Sequence, residues 1–188
     1  GDGNTITLSS NTSQTKIKGI SADEFPSIPK VPKENILKIS SGDLDKAILQ
    51  TVFSASTNAS RPVLSGVLFD LDKDILKVVA TDSYRLAEKK LVLKEKTNLT
   101  LQAVIPSRTI TELGKLLSKT QEKEVEVNLS KNQVLFTIGN IELMSRLIEG
   151  KYPDYEKIIP KSSKTKAEVK TEDLSLVVKR VSLFAREN

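Results

Sequence analysis

The 188-residue chain contains no cysteine and no histidine. That removes disulfides, Cys–His and Ser-His-Asp nucleophile pairs, and nearly every transition-metal site. Tryptophan is absent too, and five Phe with three Tyr are too few for an aromatic platform that stacks single-stranded nucleic acid. No apolar run approaches the length of a transmembrane helix, and the first residues, GDGNTITLSS, lack the basic and apolar regions of a signal peptide. The sequons at Asn11, Asn58, Asn98 and Asn128 therefore read as chance, and a cytoplasmic location is expected. What remains is an ordinary globular composition rich in Leu, Ile and Val. A formal net charge of +5 permits contact with a polyanion without demanding it.

Comparing the chain with itself shows a repeat. Ile6–Lys30 resembles Val134–Lys161: both read as strand, turn, strand, polar loop, an aromatic-Pro pair and an Ile-Pro-Lys end. Phe25-Pro26 aligns with Tyr152-Pro153, an offset of 127 positions. Independently, Ile36–Ser56 resembles Ala167–Asn188, and Asp43-Leu44 aligns with Asp173-Leu174 at an offset of 130. Two matches of similar period imply a module of roughly 130 residues, an ordinary domain size. The expectation is one complete copy flanked by the last strands of another copy and the start of a third.

Within the complete copy, Ile36–Ser40 alternates as a strand. Ser41-Gly42-Asp43 then opens a helix with Leu44, Ala47, Ile48 and Phe53 on one face. Three extended segments follow: VLSGVLFDL, ILKVVATD and YRLAEKKLVL. The pattern recurs with LTLQAVIP, a helix capped by Ser107 with the stripe Ile110, Leu113 and Leu117, and the strands VEVNLS, QVLFTIG and IELMSRLIEG. Each half reads strand–helix–strand–strand–strand, which predicts an α+β fold with both helices on one side and the sheets outside. Asp70, Asp72 and Asp74 sit at the first three spacings of a calcium loop. Ile75 occupies its Gly position and Thr81 its Glu position, so the segment reads as a solvated hairpin.

Two sets of polar residues could carry function. On the second helix Arg108, Lys115 and Lys119 share a stripe, with Glu112 between them as an i,i+4 partner; Lys46 lies on the first helix, and Lys179 and Arg180 on the third. Singly these are solvated charges, but on helices repeated around a common centre they form a weak, sequence-blind field for phosphate. The stretch TDSYRLA, Thr81–Ala87, ends one strand in an Asp-Ser turn and begins another at Tyr84. It sets an aromatic, a guanidinium and a Leu side by side at a strand end, as either a solvated hairpin corner or a partner surface.

TDSYRLA, together with RPVLSGVLFDL (Arg61–Leu71), VIPSRTITEL (Val104–Leu113) and SRLIEGKYPDYEKIIP (Ser145–Pro160), resembles the bacterial DNA polymerase III β subunit family, the sliding clamps. The likeness covers essentially the whole chain. It implies that residues 1–28 are the last strands of a first clamp domain, 31–161 a complete second domain, and 165–188 the first strand and helix of a third. It also implies a head-to-tail dimeric ring around duplex DNA, helices lining the hole, with no catalytic residues, no metal and no cofactor. Its role would be to tether the replicative polymerase, the clamp loader and repair proteins. This stretch alone is expected to be monomeric, and the cytoplasm would be bacterial.

By the same resemblance, the second-domain side of a hydrophobic groove for short Leu- and Phe-anchored motifs falls on Leu64, Thr81, Ser83, Tyr84, Arg85, Leu86, Pro153, Lys157 and Ile158. Leu64, Leu86, Pro153 and Ile158 would be its apolar walls, with Arg85 and Lys157 flanking it to meet carboxylates. DNA contact would fall to Lys46, Asn58, Arg61, Arg108 and Lys115. The chain departs from the family at Ser83-Tyr84, where a small residue followed by His is common, and at Pro62-Val63, which replaces an aromatic pair. The groove's other wall belongs to the third domain, in a part absent from this sequence. Two other readings stand beside this one. One is a free-standing α+β domain that binds proteins or peptides outside replication. The other is an enzyme using carboxylate or Lys chemistry near Asp82 and Arg85, for which no second converging group is evident.

Overall fold

The computed structural model describes residues 3–25, 35–58 and 60–185. The expected boundary between residues 28 and 31, with the Ile28-Pro29-Lys30 match, lies outside the described residues. The chain divides into two compact units, Gly1–Tyr152 and Pro153–Asn188.

The first unit opens with an antiparallel hairpin, β1 (Thr5–Ser9) and β2 (Gln14–Lys18), whose side chains are mostly exposed. Then come β3 (Asn35–Ser40), α1 (Ser41–Thr51), β4 (Gly66–Asp72), β5 (Ile75–Thr81) and β6 (Leu86–Val92). The second half repeats the order as β7 (Thr100–Pro106), α2 (Ser107–Leu117), β8 (Glu124–Leu129), β9 (Gln133–Ile138) and β10 (Ile141–Arg146). The two halves exchange their first strands. β3 pairs with β8 in the sheet β10-β9-β8-β3, and β7 pairs with β4 in the sheet β6-β5-β4-β7, every pair antiparallel. Neither half can close its sheet alone.

Period-2 burial along β8 and β9 sends Val125, Val127, Val134, Phe136 and Ile138 inward. Phe69 from one sheet meets Phe136 from the other edge-on, centroids 6.4 Å apart, both with no exposed surface. The helices cover this layer with Leu44, Ala47 and Ile48 from α1 and Ile110, Leu113 and Leu117 from α2. They approach closely because of Gly114: a Cβ there would stand 3.1 Å from Ile48 Cγ2. The β4–β5 connection is the expected short hairpin, with Lys73 in the left-handed region and Asp72 paired with Ile75.

Four local expectations are corrected. Phe53 is not on the buried face of α1: the helix ends at Thr51, a 3-10 turn (Val52–Ser54) rotates the chain, and the ring is 57% exposed. The buried position goes instead to Thr51, whose hydroxyl donates to the Ala47 carbonyl at 2.7 Å. Ser107 does not cap α2 but is its first residue; Pro106 is at the cap position and supplies no side-chain bond. Glu112 pairs with Lys115 at i+3, 2.9 Å, rather than at the i+4 spacing. β6 starts at Leu86 rather than Tyr84, which belongs to the preceding turn.

In the second unit, a 3-10 turn (Tyr155–Lys157) precedes α3 (Thr171–Ser182). None of α3's residues is buried. The strand expected at the start of 165–188 does not form. A strand needs a ladder partner for its backbone groups.

Candidate functional site

The turn between β5 and β6 is built by its own side chains. Thr81 and Leu86 are the last paired residues, and four residues bridge them, closed by a 3.4 Å bond from the Asp82 N–H to the Arg85 carbonyl. Asp82 Oδ1 accepts from the backbone N–H of Tyr84 at 2.9 Å and of Arg85 at 3.0 Å, an Asx arrangement. Its other oxygen, Oδ2, accepts from Arg85 Nε at 3.0 Å. Thr81 Oγ1 accepts from the Ser83 N–H at 3.2 Å and donates to the Arg85 carbonyl at 2.7 Å. No carboxyl other than that of an Asp could reach both amides from this position without lengthening the turn. The donors, Arg85's backbone first and Tyr84's next, hold the Asp82 carboxyl below its usual range.

This scaffold forces an unusual shape. Ser83 sits at φ +81°, a region that side chains rarely adopt, and Tyr84 is thrown outward, 98% exposed. Arg61 reaches across from the loop after α1, donating from Nη1 to Ser83 Oγ at 2.9 Å. The Arg85 guanidinium lies over Phe53, 5.9 Å from the ring centroid. Between the loop and the turn is a cleft of about 510 Å³, lined by Ser56, Asn58, Arg61, Asp82, Tyr84 and Arg85 among others.

Among the expected groove residues, the structure brings Thr81, Ser83, Tyr84, Arg85 and Leu86 together in this turn. Leu64 lies in a 3-10 turn (Pro62–Ser65) directly after Arg61; at 6% exposure it is buried rather than an exposed wall. Leu86 is half-buried. Pro153, Lys157 and Ile158 belong to the second unit and are exposed, Ile158 at 72%. There Asp154 pairs with Lys157 at 2.6 Å and raises the lysine pKa.

Of the residues expected to face DNA, Lys46 on α1 and Arg108 and Lys115 on α2 are exposed. Lys115 is paired with Glu112, whereas Arg61 and Asn58 are engaged locally. Asn58 Oδ1 accepts from the Ser60 N–H at 2.9 Å, fixing the loop that carries Arg61. Sequence reasoning used Tyr152 only to align the repeats and gave no sign of its burial. Its ring is buried; burial pushes the phenol up to about 12, against a smaller opposing pull from the Thr81 backbone. Among the described residues no helix is long and apolar enough to cross a membrane, and no cluster of acidic side chains could hold a metal ion.

Residues 38–154 match the family described as DNA polymerase III beta subunit, central domain. Among curated proteins, the Bacillus subtilis beta sliding clamp is 37% identical over 96% of this chain and 47% of its own length. The crystal structure of the Bacillus subtilis DNA polymerase sliding clamp superposes with a TM-score of 0.91 at 36% identity, over all of this chain and 49% of that one. A Bartonella birtlesii sliding clamp bound to griselimycin gives 0.88 at 28% identity, over 99% of this chain and 51% of that one. The chain spans about half the length of the curated relatives it matches. Its exchanged strand–helix–strand–strand–strand halves are those of a sliding clamp, and the chain belongs to the DNA polymerase III beta subunit family.

Proposed function

We propose that this chain is the central part of a non-catalytic processivity clamp for the bacterial replicative polymerase. In the whole protein, two subunits would close a ring around duplex DNA and tether polymerase, clamp loader and repair proteins. Residues 1–28, 31–161 and 165–188 would be the end of the first, all of the second and the start of the third domain. Exposed cations on α1 and α2 suit such a ring, because a sliding contact needs weak phosphate attraction and no base readout.

The observation that carries the partner reading is the Thr81–Leu86 turn. Apart from the backbone bond that closes it, the bonds that shape it come from side chains within it or beside it, so it is ordered before a partner arrives. Preorganisation of this kind lowers the ordering cost of capturing a flexible peptide. Half-buried Leu86, where β6 begins, offers an apolar anchor point, and Arg85 a charged rim.

Fluorescence polarisation with a labelled Gln-Leu-x-Leu-Phe peptide tests this reading, using the same peptide with its Leu and Phe anchors replaced by Ala as control. Saturable binding that the control loses supports the groove. Equal binding of both peptides, or of neither, contradicts a groove on this chain. The enzyme reading has less behind it: among the described residues no second catalytic group bonds to Asp82, whose carboxylate is committed to three donors within its own turn.

A further inference from the structure

Asp82 is the one anion in a cleft that also contains Arg61 and Arg85. Its two oxygens do separate work: Oδ1 holds the backbone of Tyr84 and Arg85, and Oδ2 holds the Arg85 guanidinium at 3.0 Å. The first job requires only an oxygen acceptor, which an amide provides equally well. The second requires charge, because it determines how much of Arg85's positive field reaches a ligand. Asp82 is mostly shielded while Arg85 is well exposed, with side-chain exposures of 21% and 59%, so a ligand meets the arginine with its counter-ion already in place behind it. The cleft's fixed charges, two cations and one anion, then sum to +1.

We infer that Asp82 is a specificity-determining residue that, through its ion pair with Arg85, keeps the groove's rim from selecting strongly acidic partner peptides. This inference rests on the groove reading above and deepens it. A clamp serving partners with different motifs gains from a rim that tolerates neutral and acidic residues alike, with the apolar anchors supplying the discrimination. Replacing the carboxylate by an amide leaves Oδ1 to hold the two backbone N–H groups and changes the cleft's charge from +1 to +2.

The test is a matched pair of labelled peptides, Gln-Leu-Asp-Leu-Phe and Gln-Leu-Asn-Leu-Phe, titrated against the parent chain, D82N and D82A at low and high salt. In D82N the preference for the Asp peptide over the Asn peptide should rise by about two- to fivefold relative to the parent. That gain should shrink in high salt, since exposed charges are screened. D82A also removes the backbone acceptor, so both peptides should weaken while the raised preference for Asp persists. A purely structural Asp82 would weaken both peptides equally and leave their ratio unmoved; that result, or a ratio insensitive to salt, overturns the inference. A parent chain that binds neither peptide overturns the groove reading itself, and the inference with it.

Discussion

The two halves of the complete copy make the same connection in two ways. In the second half β9 and β10 are joined by Gly139-Asn140, with Ile138 paired to Ile141 and the glycine at φ +56°. In the first half β5 and β6 are joined by four residues, with the left-handed position taken by Ser83 and an aromatic projecting into solvent. The glycine turn needs nothing from its neighbours because its backbone favours the shape. The Asp82 turn draws on Thr81, Asp82 and Arg61 to hold a shape its residues do not favour. A fold repeat supplies the platform twice; strain held by side-chain bonds distinguishes the first corner, the one proposed above to carry a partner surface.

The largest effect should come from the platform both corners share. Phe69→Ala removes an edge-on aromatic pair and leaves a cavity between the sheets, and should cost about 3–5 kcal/mol in denaturant unfolding. A loss well below that would mean the halves are stabilised separately. Gly139→Val puts a β-branched residue at positive φ, with a Cβ 2.8 Å from Glu122 Oε1, and should cost about 1–3 kcal/mol. It should leave peptide binding untouched.

Arg85→Ala and Leu86→Ala should do the opposite, each weakening peptide binding by about 1 kcal/mol or more with little change in unfolding midpoint. If both bind like the parent, the corners do not differ in function. At alkaline pH stability should fall. Tyr152 has a raised folded pKa, so its contribution is complete below the ordinary tyrosine value of about 10 and is lost as pH climbs towards about 12. Tyr152→Phe should abolish that part of the pH dependence of stability. The smallest change is Ser83→Gly: relief of the left-handed strain should offset the lost Arg61 bond, leaving stability within about 0.5 kcal/mol of the parent.

Much of the fold was legible because it rests on periodicity. The 3.6-residue stripe Ile110-Leu113-Leu117 and the alternation of VEVNLS identified a helix and a strand without knowledge of their partners. What periodicity could not supply was the place where an element stops. Phe53 fits the face of α1 by spacing, but the chain has turned by then, and its ring answers to an arginine 32 positions away. The motif TDSYRLA was legible as a turn between two strands, whereas Arg61's bond to Ser83 and the burial of Tyr152 depend on contacts between distant segments. No local pattern encodes those contacts. The strand expected at the start of 165–188 shows the same limit: its sequence pattern is adequate, but pairing depends on a partner that no local pattern supplies.

The most direct test of the difference between the corners is an NMR titration of the isotope-labelled chain with the Gln-Leu-x-Leu-Phe peptide, following backbone amides at both turns. The account predicts progressive, saturable shifts at Thr81 to Leu86 and none at Gly139 and Asn140. Shifts at both turns, or at neither, would contradict the claim that the Asp82 corner is the one built for a partner.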